Sequence, residues 1–406
     1  MYYWKCVIVY TVASNKPIQR EDFEMKKKLL SAILSVAMVA TLLVGCGSKA
    51  EEAAPAADAA AEEAAPAADA AEEAAPAADA AGGLVGVAMP TKDLQRWNQD
   101  GENMKAQLEA AGYTVDLQYA NNDVATQVSV LENMIANGCK LLVVASIDGS
   151  ALGTVLEQAK GEDIPVIAYD RLIMNTDACS YYASFDNYKV GTMQGEYVRD
   201  ALKLDTEAGP FNVEFFGGDP GDNNALLFFG GAMDVLKPYI DEGKIVVQSG
   251  QKEFAECATA SWSTENAQSR MENIVSSYYA DGTKIDAVCC SNDSTSLGVQ
   301  NALESSYNGE WPVITGQDCD IANMPNIIAG KQSMSVFKDT RDLAAKTVEM
   351  VDAIMKGGEA PVNNTTDYDN GVMVVPSYLC DPKFADKDNY KELLVDSGYY
   401  TEDQLK

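Results

Sequence analysis

Histidine is absent from the 406 residues. With it go Ser-His-Asp and Cys-His catalysis and every metal site built on imidazole. Of the common hydrolytic devices, paired carboxylates such as Asp219/Asp222 or Asp318/Asp320 remain. Cysteine is present but unordered. Seven of the nine lie beyond residue 81, at positions 139, 179, 257, 289, 290, 319 and 380. An odd number at irregular spacing makes a poor disulfide framework, and no Cys-x-x-Cys pair marks zinc, so neither metal nor cofactor is expected. Cys289 and Cys290 sit in an apolar run as small hydrophobes. Positive charge is scarce too: 30 Lys and Arg stand against 61 Asp and Glu, a net −31. Such an acidic surface argues against nucleic-acid and anionic-membrane binding.

Long apolar runs are few, and the first has a special ending. Lys26, Lys27 and Lys28 precede a run from Leu29 to Val44, which closes as Leu43-Val44-Gly45-Cys46. Basic cluster, apolar core and small residues before a cysteine read as a bacterial lipoprotein signal over 25–45. Cleavage would leave Cys46 as a lipid-bearing N-terminus, outside the cytoplasm and anchored to the cell membrane. Met25 opens this signal directly, so residues 1–24 read as an over-long start.

Residues 46–81 form an acidic tether. Glu-Glu-Ala-Ala-Pro-Ala-Ala-Asp-Ala-Ala begins at Glu51, Glu62 and Glu72 and offers no large apolar residue to bury. Its prolines interrupt any long helix. Some 35 residues of flexible chain span about 30 Å, enough to lift a domain off a membrane.

From Gly82 on, short apolar runs alternate with helical stretches. Strands are expected at 84–89, 114–119, 141–144, 165–169, 211–216, 245–248, 287–290 and 313–315. Helices near 94–111, 123–137, 150–160, 223–236, 263–280 and 294–306 separate them. This alternation predicts an α/β fold with two parallel sheets, each covered on both faces. In such sheets ligands bind beyond the carboxyl ends of the strands.

Those ends are polar in a consistent way. Arg96-Trp97 follows the first strand and Asp170-Arg171 the fourth. Gly217-Gly218-Asp219-Pro220-Gly221-Asp222-Asn223-Asn224 follows residues 211–216. Ser291-Asn292-Asp293, Gly316-Gln317-Asp318 and Phe337-Lys338-Asp339 end later strands, and Trp262 precedes a helix. Asp and Asn here also suit helix caps and turns, but capping explains neither Arg171, Lys338 nor Trp262. The mixture suits a sugar. Each hydroxyl donates and accepts, carboxylates accept from neighbouring hydroxyls, Arg, Lys and Asn donate back, and Trp offers a flat apolar face. A phosphate site would need a glycine-rich loop feeding a helix N-terminus, whereas Gly217-Gly218 leads into acidic residues.

Arg96-Trp97, Gln118-Tyr119-Ala120, Ile167-Ala168-Tyr169-Asp170-Arg171, Phe185-Asp186-Asn187, the 217–225 segment, Val235-Leu236-Lys237-Pro238-Tyr239, Ser291-Asn292-Asp293 and Gly316-Gln317-Asp318 run in an order that resembles periplasmic xylose-binding proteins. Pro376-Ser377-Tyr378-Leu379 and the ending from Gly398 to Leu405 resemble the related multiple-sugar-binding receptors. The resemblance covers nearly all of 84–406. It implies a type I periplasmic-binding fold, two Rossmann-like lobes joined by three crossovers, which we place near Asp186, Gln317 and Phe337. The N-terminal lobe would hold 82–186 and 318–337, the C-terminal lobe 187–317 and 338–406. The sugar contacts carry over to Arg96, Asp170, Arg171, Asn223, Asn224, Trp262, Asn292, Asp318 and Lys338. Residues 251–262 depart from both relatives, so stacking could fall instead to Trp97 or Phe228. The implied function is a monomeric, non-enzymatic, lipid-anchored receptor that captures a monosaccharide by hinge closure for ABC permease subunits. A chemosensory receptor would share the site. A glycosidase lacks an evident raised-pKa acid, and a transcriptional regulator conflicts with the export signal.

Overall fold

A computed structural model describes residues 82–405. The signal at 25–45, Cys46, the tether to residue 81 and the suspected over-long start lie outside the described residues. From the N-terminus the chain forms β1 (Leu84–Met89), α1 (Gln95–Ala110), β2 (Thr114–Tyr119), α2 (Val124–Ala136), β3 (Leu141–Val144), α3 (Gly153–Gly161), β4 (Val166–Tyr169) and β5 (Tyr181–Phe185). Then come α4 (Asn187–Ala201), β6 (Phe211–Phe216), α5 (Asn223–Asp241), β7 (Ile245–Val246), α6 (Phe254–Cys257), α7 (Thr264–Tyr278), β8 (Ala287–Cys290), α8 (Asp293–Ser306) and β9 (Val313–Ile314). It finishes with α9 (Met324–Ile328), β10 (Ser335–Phe337), α10 (Thr340–Met355), β11 (Ser377–Cys380) and β12 (Lys383–Ala385).

Two parallel sheets result. The first runs β11-β5-β4-β3-β1-β2 and the second β7-β6-β8-β9. In each, the opening strand lies between the second and third, so strand order reverses there, which is the doubly wound arrangement. The strands are short and apolar because helices cover both faces; β3, β4 and β8 are buried throughout. Asp123, Asp186, Asp222, Ser263, Asn292 and Asp339 each accept a backbone N–H and so start a helix.

The sequence-based division of the chain needs correcting. α10, assigned to the C-terminal lobe, packs on the first sheet. Leu343, Ala344, Met350 and Val351 share a core with Val85, Trp97 and Tyr169, and β11 pairs with β5 at the sheet edge. Residues 318–337, assigned to the N-terminal lobe, lie with the second sheet. Val336 donates to Gly316 O and accepts from Asp318 N, and Met334 and Val336 pack on Val190 and Phe228. β12 then returns to β10. The chain therefore crosses after β5, after β10 and after β11, where Asp186 N donates to Cys380 O at 3.2 Å. No crossing occurs at Gln317. Short strands such as 335–337 and 377–380 carry no periodicity that tells one sheet from the other.

Helix α4 lies directly against α5. A Cβ on Gly191 would stand 1.9 Å from Phe228 O, inside any tolerable contact. Gly191→Ala should therefore force the pair apart at about 1–3 kcal/mol, a fall of roughly 2–5 °C in Tm for a protein of this size. Gly153→Ala, where a Cβ meets nothing within 4 Å, should leave Tm unchanged or raised. Equal melting of both variants by circular dichroism would contradict this packing.

Candidate ligand-binding site

Residues following β1, β4, β6, β8, β9 and β10 line one polar cavity between the two sheets. Both halves contribute. Arg96, Trp97, Asp170 and Arg171 come from the first, while Asn224, Trp262, Asn292 and Asp318 come from the second. Lys338 sits on the crossing between β10 and α10 and also lines the cavity. Of the ten sequence-predicted residues only Asn223 is not among the lining residues. It opens α5, and one helical step turns a side chain by about 100°, so Asn224 alone of the pair reaches the cavity.

The charges form a closed ring. Arg96 Nη2 lies 2.8 Å from Asp170 Oδ2, and Arg96 Nη1 lies 3.6 Å from Asp318 Oδ1. Lys338 Nζ stands 3.1 Å from Asp318 Oδ1 and 3.9 Å from Asp170 Oδ2. Two cations thus alternate with two carboxylates, and Arg96 spans the cleft. A second bridge joins Arg171 Nε to Asp222 Oδ2 at 2.9 Å, while Arg171 Nη1 donates to Ser146 O at 3.0 Å. Asn224 Nδ2 donates to Asp170 O across the same gap at 2.7 Å. All these side chains are buried.

Burial opposes the Arg96 charge, but the Asp100, Asp170 and Asp318 carboxylates overcome it and raise its pKa well above the usual value. Burial likewise opposes the Asp170 charge, yet Arg96, Lys338 and Arg171 keep its carboxyl below the ordinary range. For Asp222 burial wins over Arg171, and its pKa rises. Pairing rather than hydration therefore sets the charge states here.

Aromatic rings complete the walls. The Trp97 ring already carries both guanidinium groups, with Arg96 Cζ at 4.5 Å and Arg171 Cζ at 5.0 Å from its centroid. Trp262 and Phe228 meet edge to face at 6.2 Å. The Trp262 indole lies so close over Gly218 that a Cβ there would fall 1.9 Å from the ring. Trp97 Nε1, Trp262 Nε1 and Gln317 Oε1 are buried polar atoms without a hydrogen-bond partner among the described residues, so a polar ligand would satisfy them. Asp170, Trp262 and Asp318 have φ of +61°, +56° and +95°, a region costing side-chain-bearing residues about 1–3 kcal/mol each and favoured at functional sites.

Sequence reasoning missed Asp222 and Gln317 as cavity residues. Asp222 was visible as a helix cap, and it serves both purposes: it accepts Asn224 N at 3.0 Å and pairs with Arg171. Gln317 stood beside Asp318 at a strand end, the one signal it gave.

A model of the periplasmic binding protein domain matches residues 85–359. The multiple sugar-binding periplasmic receptor ChvE of Rhizobium radiobacter is 51% identical over 328 residues, 80% of this chain and 92% of its own. The D-xylose-binding periplasmic protein of Escherichia coli is 38% identical over 321 residues, 79% of this chain and 92% of its own. Among solved structures, an ABC transporter solute-binding protein from Clostridium phytofermentans with bound β-D-glucose is 73% identical, with a TM-score of 0.79, over 80% of this chain and all of that one.

Behind Asp318, Asp293 is fully buried; its Oδ1 accepts from Gln332 and Ser335 at 2.6 and 2.9 Å, and its Oδ2 from Asp320 N at 2.9 Å. Burial pushes the Asp293 carboxyl up to about 7, and the neighbouring Asp320 carboxyl is pushed up with it, so the two share the titration. An unfolded aspartate ionises near 3.9, so between about pH 4 and 7 the folded state holds a proton that the unfolded state has released. Stability should fall as pH rises through that window, by up to about 1.4 kcal/mol per unit. Asp293→Asn should remove this share of the slope and gain on the wild type between pH 5 and pH 8 in urea unfolding. A constant difference at the two pH values would contradict the assignment.

Proposed function

The chain belongs to the periplasmic binding protein family, and from that premise we propose that it is a sugar receptor, tethered outside the cytoplasm by lipid on Cys46, that captures a monosaccharide for an ABC importer. Its fold is the family's type I arrangement of two α/β lobes, and the family binds solutes rather than transforming them. The ligand we assign is D-glucose, D-xylose or a related aldopyranose. The observation that carries this is the ring of alternating carboxylates and cations walled by Trp262. The 73% identical neighbour with β-D-glucose bound supports the same ligand class.

The geometry gives each group a task. Arg96 and Lys338 meet Asp318 through Oδ1, so Oδ2 is the oxygen we assign to a pair of sugar hydroxyls. Asn224, Asn292 and Arg171 donate back, and Trp262 covers the C–H face of the ring. A ligand held by one lobe gains its remaining contacts only when the other closes. That difference in contact free energy drives the hinge toward the closed form. The crossings after β5, β10 and β11 are the hinge, and Lys338, sitting on one of them, ties closure to ligand contact. Permease subunits would then recognise the closed monomer.

A thermal-shift panel of monosaccharides tests this reading. At a hundredfold excess over Kd a bound sugar adds about 2.7 kcal/mol, or roughly 4 °C in Tm. D-Glucose or D-xylose should produce it. Asp318→Ala should abolish the shift while the circular dichroism spectrum stays native. No response to any pentose or hexose, or full response in the variant, would overturn the reading.

A further inference from the structure

Asp100 lies outside the cavity wall, yet it is fully buried. It stands one turn beyond Arg96 on α1, and its Oδ2 accepts from Arg96 Nε at 3.0 Å and Nη2 at 2.8 Å. Its other oxygen, Oδ1, accepts the Tyr169 hydroxyl at 2.5 Å. Tyr169 is itself buried and ends β4, directly before Asp170. One strand end therefore sends Asp170 to the ligand-facing side of Arg96 and Tyr169 to the carboxylate beneath it.

A guanidinium has five N–H donors in a rigid plane. In Arg96 the Nε–Nη2 edge is taken by Asp100 and Asp170. Nη1 is left, and its nearest carboxylate is 3.6 Å away. An ion pair this deeply buried is weak evidence for stability, because desolvation offsets most of the attraction. Fixing the plane of a donor is a better reason to hold a charge there.

We propose that Asp100, braced by Tyr169, is a positioning residue that locks the Arg96 plane so that Nη1 serves a single hydroxyl of the bound sugar. This rests on the sugar-receptor reading above. A fixed donor discriminates more sharply than a mobile one, because an analogue lacking the matched hydroxyl leaves a buried donor unpaired.

The test is calorimetric titration of wild type, Asp100→Ala, Asp100→Asn and Tyr169→Phe with D-glucose and its monodeoxy analogues. Wild type should bind glucose and lose affinity unevenly across the deoxy series. Asp100→Ala, losing two charge-assisted bonds to Arg96, should bind glucose about 10–100-fold more weakly. Its penalty for one deoxy position should shrink about tenfold while the others stay. Asp100→Asn, which keeps an acceptor, should recover part of the loss, and Tyr169→Phe should show a smaller effect at the same position. A uniform loss across all analogues would mark a merely structural residue and overturn the proposal, as would unchanged binding. If Asp100→Ala does not fold, Tyr169→Phe, which loses only a hydroxyl, carries the same readout. Where D-xylose is the sugar bound, its deoxy series carries the same readout, and failure of wild type to bind any pentose or hexose would overturn the sugar reading itself.

Discussion

The structure depends on a ring of four buried charges. Arg96, Asp170, Lys338 and Asp318 alternate in sign around the cleft, and each would be prohibitively expensive to bury alone. The ring is complete only when the two halves of the molecule meet. Arg96 and Asp170 sit on the first sheet's side, Asp318 on the second's, and Lys338 on the chain crossing between them. On the proposed function, binding and closure are one event: a ligand that shares hydrogen bonds with these groups would also hold the halves together.

Everything that brings the ring together is conventional scaffold. Parallel strands collect their carboxyl ends on one side of each sheet, which explains why residues distant in sequence converge. Helix caps do double duty, with Asp222 and Asn292 each starting a helix and lining the cavity. Part of the unusual backbone lies in the cavity wall. Asp170, Trp262 and Asp318 hold positive φ, and the Asp170 carbonyl is fixed by Tyr182, Ser184 and Asn224 at 2.6–2.8 Å. Tyr182 and Ser184 belong to the same half as Asp170 and hold it in place whether or not the halves have closed, and such preorganisation is where affinity gains most.

Much of this is legible in the chain, for a definite reason. A short apolar run followed by polar residues marks a parallel strand and its ligand-facing end together, so Asp170, Arg171, Asn292 and Asp318 announce themselves. What local pattern cannot convey is partnership over distance. Nothing near residues 340–380 says that α10 and β11 belong to the first sheet, because an amphipathic helix looks the same against either. Asp100 is hidden for a similar reason: a carboxylate inside a polar helix reads as solvent-facing until Arg96 and Tyr169 are seen around it. Trp262 reaches the cavity because Gly218 leaves room for its ring, which no local pattern around residue 262 conveys.

The central claim is that sugar closes the two halves on each other, and small-angle X-ray scattering measures this directly. The account predicts that saturating D-glucose lowers the radius of gyration and shortens the maximum dimension of the protein. A scattering profile identical with and without bound glucose would contradict it.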